Sequence, residues 1–226
     1  MTIIHTDFFN QDPCAVARKL LGKVIRRKYH QQWLSARIIE TEAYYLNDKG
    51  SHASLGFTEK RKALFMPAGT IYMYYARGKD SLNISCAGQG NAVLIKSAHP
   101  YLDAISGNNT LKTMQKLNPS ASGDFRTINK LCNGQTLLCQ SLNIKVCDWD
   151  QQQFHPQSFY FEDIDYHPEQ IIQTTRLGIP QGRDENLPYR FIDYAYAGQC
   201  TQNPLTRRNS QAGLNYQLLT PADQID

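Results

Sequence analysis

Ala36-Arg37-Ile38-Ile39-Glu40-Thr41-Glu42-Ala43-Tyr44-Tyr45 reads as a β-strand, bounded by the polar Tyr29-His30-Gln31-Gln32 and by Asn47-Asp48-Lys49-Gly50. Alternate residues of a strand share a face. Glu40, Glu42 and Tyr44 therefore point one way, and Thr41, Ala43 and Tyr45 the other. Carboxylates on a buried face must be paired or must titrate upward. The like charge of Glu40 tends to raise the pKa of Glu42. Composition alone favours the simpler alternative, an edge strand with solvated glutamates.

Working outward, Gly69-Thr70-Ile71-Tyr72-Met73-Tyr74-Tyr75-Ala76, then Arg77-Gly78-Lys79-Asp80, then Ser81-Leu82-Asn83-Ile84-Ser85 reads as a hairpin over 70–86 with a basic, Gly-containing tip. Upstream, Asp12-Pro13 opens a helix as N-cap and first helical residue, and Gly22 ends it. Strands are expected over 23–29 and 33–45, joined by the turn His30-Gln31-Gln32, with a long loop over 46–69. A continuous apolar strand over 91–98 contains Lys96. Residues 101–118 are partly helical, 129–142 form a helical segment around Gly134, and strands follow at 158–161 and 171–179. Residues 199–226 hold only scattered apolar residues and are expected as a polar, loosely docked or disordered C-terminal tail behind a domain of residues 1–198.

The 226 residues, 41% hydrophobic and 19% charged, suit one globular domain with a sizeable core. No run approaches the ~18 apolar residues of a membrane span. The N-terminus lacks a basic segment followed by an apolar one, so a secreted or membrane protein is not expected. Cys14, Cys86, Cys132, Cys139, Cys147 and Cys200 form no Cys-x-x-Cys pair and read as reduced and mostly buried, in a cytoplasmic protein. The histidines show no metal-ligand spacing. Charge is polarised: Lys60 to Lys96 carries six basic residues and one acidic, whereas Asp148 to Glu169 carries acidic residues and no basic one. A basic face of this kind can hold phosphates.

The Glu-Thr-Glu-Ala-Tyr run 40–44, His52, the tyrosine-rich hairpin and Asn83, with Asp7-Phe8-Phe9, Leu20-Leu21-Gly22 and Arg176-Leu177-Gly178-Ile179, together resemble the alkyladenine (3-methyladenine) DNA glycosylase family. The resemblance covers roughly residues 7 to 193. It implies an α+β domain in which a curved, mostly antiparallel sheet is flanked by helices and the hairpin protrudes into the minor groove. It implies an enzyme acting on duplex DNA as a monomer, cytoplasmic or nuclear by source, which flips alkylated or deaminated purines and hydrolyses their N-glycosidic bond. It assigns Glu42 as the base that activates water, with Glu40 the alternative by spacing, and Lys96 near that water where the family commonly has arginine. Tyr44, Tyr74 and His52 would form the base pocket, and Asn83 would exclude guanine. The backbone carbonyl around Ile179 would contact water. Arg77, Lys79, Lys60 and Arg61 would meet DNA. Arg77 departs most sharply, since the family usually has a wedge tyrosine there. Gly134-Gln135-Thr136-Leu137-Leu138 also departs, from a usual Gly-Pro-x-Lys-Leu. No lysine other than Lys96 sits on the pocket strands, so a monofunctional enzyme leaving an abasic site is implied, with no metal and no cofactor. Two other readings compete: a non-catalytic nucleic-acid-binding protein of the same fold, and an α/β protein whose hairpin binds a protein partner.

Overall fold

The computed structural model describes residues 2–220. In chain order the elements are β1 (Thr2–Ile3), α1 (Pro13–Leu20), β2 (Val24–Tyr29), β3 (Gln32–Tyr44), β4 (Ile71–Ala76), β5 (Lys79–Ser85), β6 (Ala92–Pro100), α2 (Thr110–Leu117), α3 (Ile128–Leu131), α4 (Gln135–Ser141), α5 (Val146–Trp149), β7 (Phe159–Asp163), β8 (Ile171–Thr174), β9 (Arg190–Asp193) and β10 (Gln217–Leu219). All described strand pairs are antiparallel, and helices pack on the sheet. This is the α+β architecture expected.

β3 organises the sheet. Residues 32–37 pair with β2, residues 36–44 with β6, and residues 40–42 also with β9. Glu40, Thr41 and Glu42 thus have a strand on either side and are fully buried, which excludes the edge-strand alternative. The strand does not alternate strictly. Ile38 joins the main core and Ile39, on the other face, packs with Ile172 and Ile192; a bulge around Ile39 and Glu40 then shifts the register, so that Thr41 and Ala43, and not Glu40 and Glu42, return to the side of Ile38. Past the bulge, Thr41 faces α1, where its hydroxyl donates to the Ala17 carbonyl at 2.8 Å.

α1 begins as its sequence dictates: the Asp12 carboxylate accepts from the amides of Cys14 and Ala15 at 2.9 and 3.2 Å, with Pro13 in the first turn. Val16, Ala17 and Leu20 are buried beneath it. Each larger aliphatic contributes about 1.5–3 kcal/mol. Gly22 ends the helix at φ +86°, and a Cβ there would stand 2.4 Å from the Tyr166 ring. The hairpin β4–β5 turns on two residues, Arg77 at φ +52° and Gly78 at φ +77°. Both left-handed values match the tight turn that twisted hairpins favour. All six cysteines are free and four are buried.

Three expectations change. The strand expected over 171–179 ends at Thr174, because Arg176 and Leu177 turn inward to reach Asp48 and Glu42. The helical segment 129–142 is two short helices, α3 and α4, with Gly134 at φ +99° before the second. Residues 199–219 are docked rather than loose. β10 adds to β8, Asn203 is buried, and Thr201 binds Glu40. That docking uses backbone pairing and polar side chains, which leave no apolar period in the sequence. Residues 221–226 of the expected tail lie outside the described residues.

Candidate active site

One pocket of about 650 Å³ opens where β3, hairpin β4–β5, β6 and the loop after β8 converge. A volume of this size suits a single small organic ligand. Glu42 is fully buried and does not itself line the pocket; it touches three residues that do, Tyr44, Lys96 and Leu177. Its Oε2 accepts from the Tyr44 hydroxyl at 2.7 Å, its Oε1 from the Leu177 amide at 3.3 Å, and Lys96 Nζ stands 3.3 Å from Oε1. Burial pushes the Glu42 carboxyl up, but Lys96, Arg190, Tyr44 and the Leu177 amide outweigh it and hold the group below its ordinary value. The rise expected from Glu40 does not occur, because Glu40 carries its own cation: Arg190 Nε donates to its Oε1 at 2.7 Å, and Nη2 stands 2.6 Å from the same oxygen. Glu42 is therefore an ionised carboxylate at neutral pH, as a proton acceptor must be.

The pocket wall is aromatic. The Tyr72 and Tyr74 rings stack at 5.8 Å, and His52 meets Tyr74 edge-on at 4.3 Å. His52 Nδ1 lies 2.9 Å from the Tyr72 hydroxyl. Partial burial, then Arg61 and Arg183, lower the His52 pKa. The ring is thus neutral at physiological pH and adds no repulsion toward a cation. Burial and Glu42 push the Tyr44 phenol well up, so it stays a hydrogen-bond donor. Asn83 lines the pocket with its amide donating to the Tyr72 carbonyl at 3.3 Å. Ile179 lines it from the loop after β8, and Gln135 and Thr136 from the departing α4 segment.

Arg77 lines the pocket from the exposed hairpin tip. Lys79 and Lys60 are exposed and do not line it. Arg61 turns back on the loop, donating to the His52 carbonyl at 3.2 Å and so fixing that segment. The structure therefore brings Lys96, Tyr44, His52, Tyr74, Asn83, Ile179 and Arg77 around one cavity, with Glu42 buried behind its wall and Lys79, Lys60 and Arg61 outside its lining.

Three residues with no role read from the sequence complete the site. Arg176, buried, pairs with Asp48 and lies 4.5 Å over the Tyr44 ring, bracing it. Arg190 is fully buried against Glu40. A lone arginine in the run Tyr189-Arg190-Phe191-Ile192 is the available signal, since a buried cation needs a buried anion. Thr201 lines the pocket from a segment with no sequence signal at all.

A family model described as methylpurine-DNA glycosylase matches residues 7–196, and so stops short of Thr201. A protein of Pseudomonas aeruginosa is 61% identical over 216 residues, 96% of this chain and 90% of its own length. One of Pseudomonas savastanoi pv. phaseolicola is 62% identical over 212 residues, 94% and 95% of the two chains. One of Koribacter versatilis is 31% identical over 200 residues, 82% and 86%. All three are provisionally named 3-methyladenine DNA glycosylase.

Proposed function

The chain belongs to the methylpurine-DNA glycosylase family of DNA repair enzymes, and from that premise we propose that it flips alkylated or deaminated purines out of duplex DNA and hydrolyses their N-glycosidic bond, leaving an abasic site. The observation that carries the reading is the buried, charge-compensated Glu42 held against the wall of an aromatic pocket by its lining residues Tyr44, Lys96 and Leu177. Water attacks the sugar C1′, Glu42 takes the water proton, and the bond to the purine nitrogen breaks with its electron pair leaving on the base. An alkylated purine already carries positive charge and leaves readily. The carboxylate also stabilises the oxocarbenium-like transition state, as a carboxylate does in glycoside hydrolysis.

Tyr44, Tyr74 and Tyr72 offer ring faces that hold a cationic base, worth ~0.5–2 kcal/mol each. Their neutral neighbour His52 supports the same preference. Asn83, buried beside Tyr72, crowds the exocyclic amine of guanine, and the carbonyl around Ile179 contacts the attacking water. Lys96 holds Glu42 in its charged form; its ion pair with Glu42 argues against a free amine nucleophile and supports a monofunctional enzyme, and since one lesion needs one pocket the enzyme acts as a monomer. Arg77, Lys79 and Lys60 supply phosphate contacts from the exposed rim, whereas Arg61 serves first to fix the His52 loop. The non-catalytic alternative leaves a buried, charge-compensated carboxylate without use.

The test is release of 3-methyladenine or hypoxanthine from a duplex carrying one lesion; no release by the wild type, with salt-sensitive DNA binding intact, favours the non-catalytic reading. Two variants refine it. Lys96→Met removes the nearest cation, so the Glu42 pKa rises and the rate is lost at higher pH as acidity increases. An unmoved pH–rate profile removes Lys96 from that role. Arg77→Tyr replaces a charged tip by an apolar wedge of the kind that fills gapped base steps. It tightens binding to an abasic-site analogue several-fold; weaker binding at unchanged salt makes Arg77 a required contact instead.

A further inference from the structure

Both glutamates of β3 are fully buried and neither lines the pocket; Glu42 touches its lining residues Tyr44, Lys96 and Leu177, whereas Glu40 touches only Thr201 of that lining. Glu40 is closed off by donors from three elements. Arg190 of β9 holds Oε1 through Nε and Nη2. Ser97 of β6 donates its hydroxyl to Oε2 at 2.5 Å. Thr201 donates its hydroxyl to Oε1 at 2.7 Å and its amide to Oε2 at 3.1 Å. The Thr201 oxygen in turn accepts from Arg190 Nη2 at 3.1 Å, and the Gln202 carbonyl accepts from the same nitrogen at 2.9 Å. The arginine is thus held at three points, two of them from the segment after residue 199. That segment is anchored in its own right. The Asn203 amide donates to the Ala197 and Thr201 carbonyls at 2.8 and 3.0 Å, and Asn203 caps the short turn Pro204–Thr206.

We propose that Thr201 is a positioning residue for the hydrolysis: the C-terminal segment clamps Arg190 between the two glutamates, so that one cation serves both and Glu42 stays ionised. This rests on Glu42 being the base. The groups facing Glu42 are Tyr44 from its own strand, Lys96 from β6, Arg190 from β9, Tyr74 from β4, and Arg176 with the Leu177 amide from the loop after β8. Glu40, two residues along the same strand, shares Arg190 with it, and on this proposal its charge is felt at Glu42 once its own donors are lost. Arg190 then draws toward Glu40 and away from Glu42. Both movements raise the Glu42 pKa, so the acid side of the pH–rate profile moves to higher pH.

The experiment compares single-turnover release of 3-methyladenine from duplex DNA at pH 5 and pH 7 for the full chain and three variants. Thr201→Val keeps the shape and removes the hydroxyl. Ser97→Ala removes a different donor to the same carboxylate from another element. Thr201→Ser restores the hydroxyl. Wild type and Thr201→Ser release base at similar rates at the two pH values. Thr201→Val and Ser97→Ala lose a few-fold at pH 5 relative to pH 7, a limb shift of about one pH unit. Variants that are slower but keep the wild-type ratio overturn the proposal, because a packing defect lowers the rate without moving the limb. If Thr201→Val does not fold, Ser97→Ala alone decides. A wild type that releases nothing overturns the reading of Glu42 itself, which is a separate outcome.

Discussion

Glu42→Gln lowers base release by about 10²–10⁴-fold, the range a positioned general base supplies. Glutamine keeps the size of the side chain; its one oxygen can accept from the Leu177 amide and its NH2 can donate to the Tyr44 hydroxyl oxygen, so the pocket keeps its shape. It cannot take a proton from water, and it places no negative charge beside the sugar. Lys96, 3.3 Å from the carboxylate that is lost, then lines the pocket uncompensated, which disfavours a cationic base in the ground state as well. Affinity for the lesion therefore weakens modestly while non-specific, salt-sensitive DNA binding persists, because the exposed basic rim is untouched. Single-turnover release and a binding titration on the same duplex separate the two effects. Release within a few-fold of wild type would transfer the role to another group, with Glu40 excluded in advance by its four donors.

Arg26→Met destabilises the fold by about 3–5 kcal/mol, as expected when one partner of a buried ionic cluster is removed. Arg26 is fully buried on β2 and donates to Glu162 of β7 at 2.5 Å and to Asp103 at 2.7 Å, with Ser35 at 3.0 Å on Nη1. Methionine fills the space but leaves two carboxylates without a cation. For a chain of this length the loss is a fall in Tm of roughly 10 °C. The pH dependence identifies the cluster. Burial pushes the Asp103 carboxyl up, but Arg26 and Ser106 carry it down to about 2 from an ordinary 3.8. A depressed carboxyl contributes stability that is complete above its unfolded value and is lost as pH falls toward its folded value. The gap between wild type and variant therefore narrows between about pH 4 and pH 2. A gap unchanged across that window removes Asp103 from the account, and a Tm shift of only a few degrees means the cluster is solvated.

Much of the site was legible because its residues sit close in sequence on elements with plain signals. Glu42 and Tyr44 are two apart on one strand and meet at 2.7 Å, as the alternation requires. Tyr72 and Tyr74 are likewise two apart, and their rings stack. The Arg77-Gly78 tip falls where the strand patterns break, and the Asp12-Pro13 start of α1 is a cap with known chemistry. The electrostatics were not legible. Alternation put two carboxylates on one face and suggested mutual repulsion. The structure answers that repulsion with Arg190, 150 residues from Glu40 in the chain. Thr201 was hidden for the same reason: it lies 161 residues away and belongs to a segment without apolar periodicity.

Local sequence, then, determined which residues share a strand face, where the chain turns, and that a pair of glutamates, a tyrosine cluster and a basic tip belong to one protein. Those properties follow from backbone geometry over a few residues. Only the tertiary structure decided that β3 is central, that Glu40 is held by Arg190, Ser97 and Thr201 while Glu42 is held by Tyr44, Lys96 and the Leu177 amide, and that Thr201 of the polar C-terminal segment lines the pocket. Such outcomes depend on burial and on charges brought together from β3, β6, β9 and the chain beyond residue 199. Burial alone raises a carboxyl pKa, and the sign of the net shift is set only once every charged and hydrogen-bonding neighbour is in place.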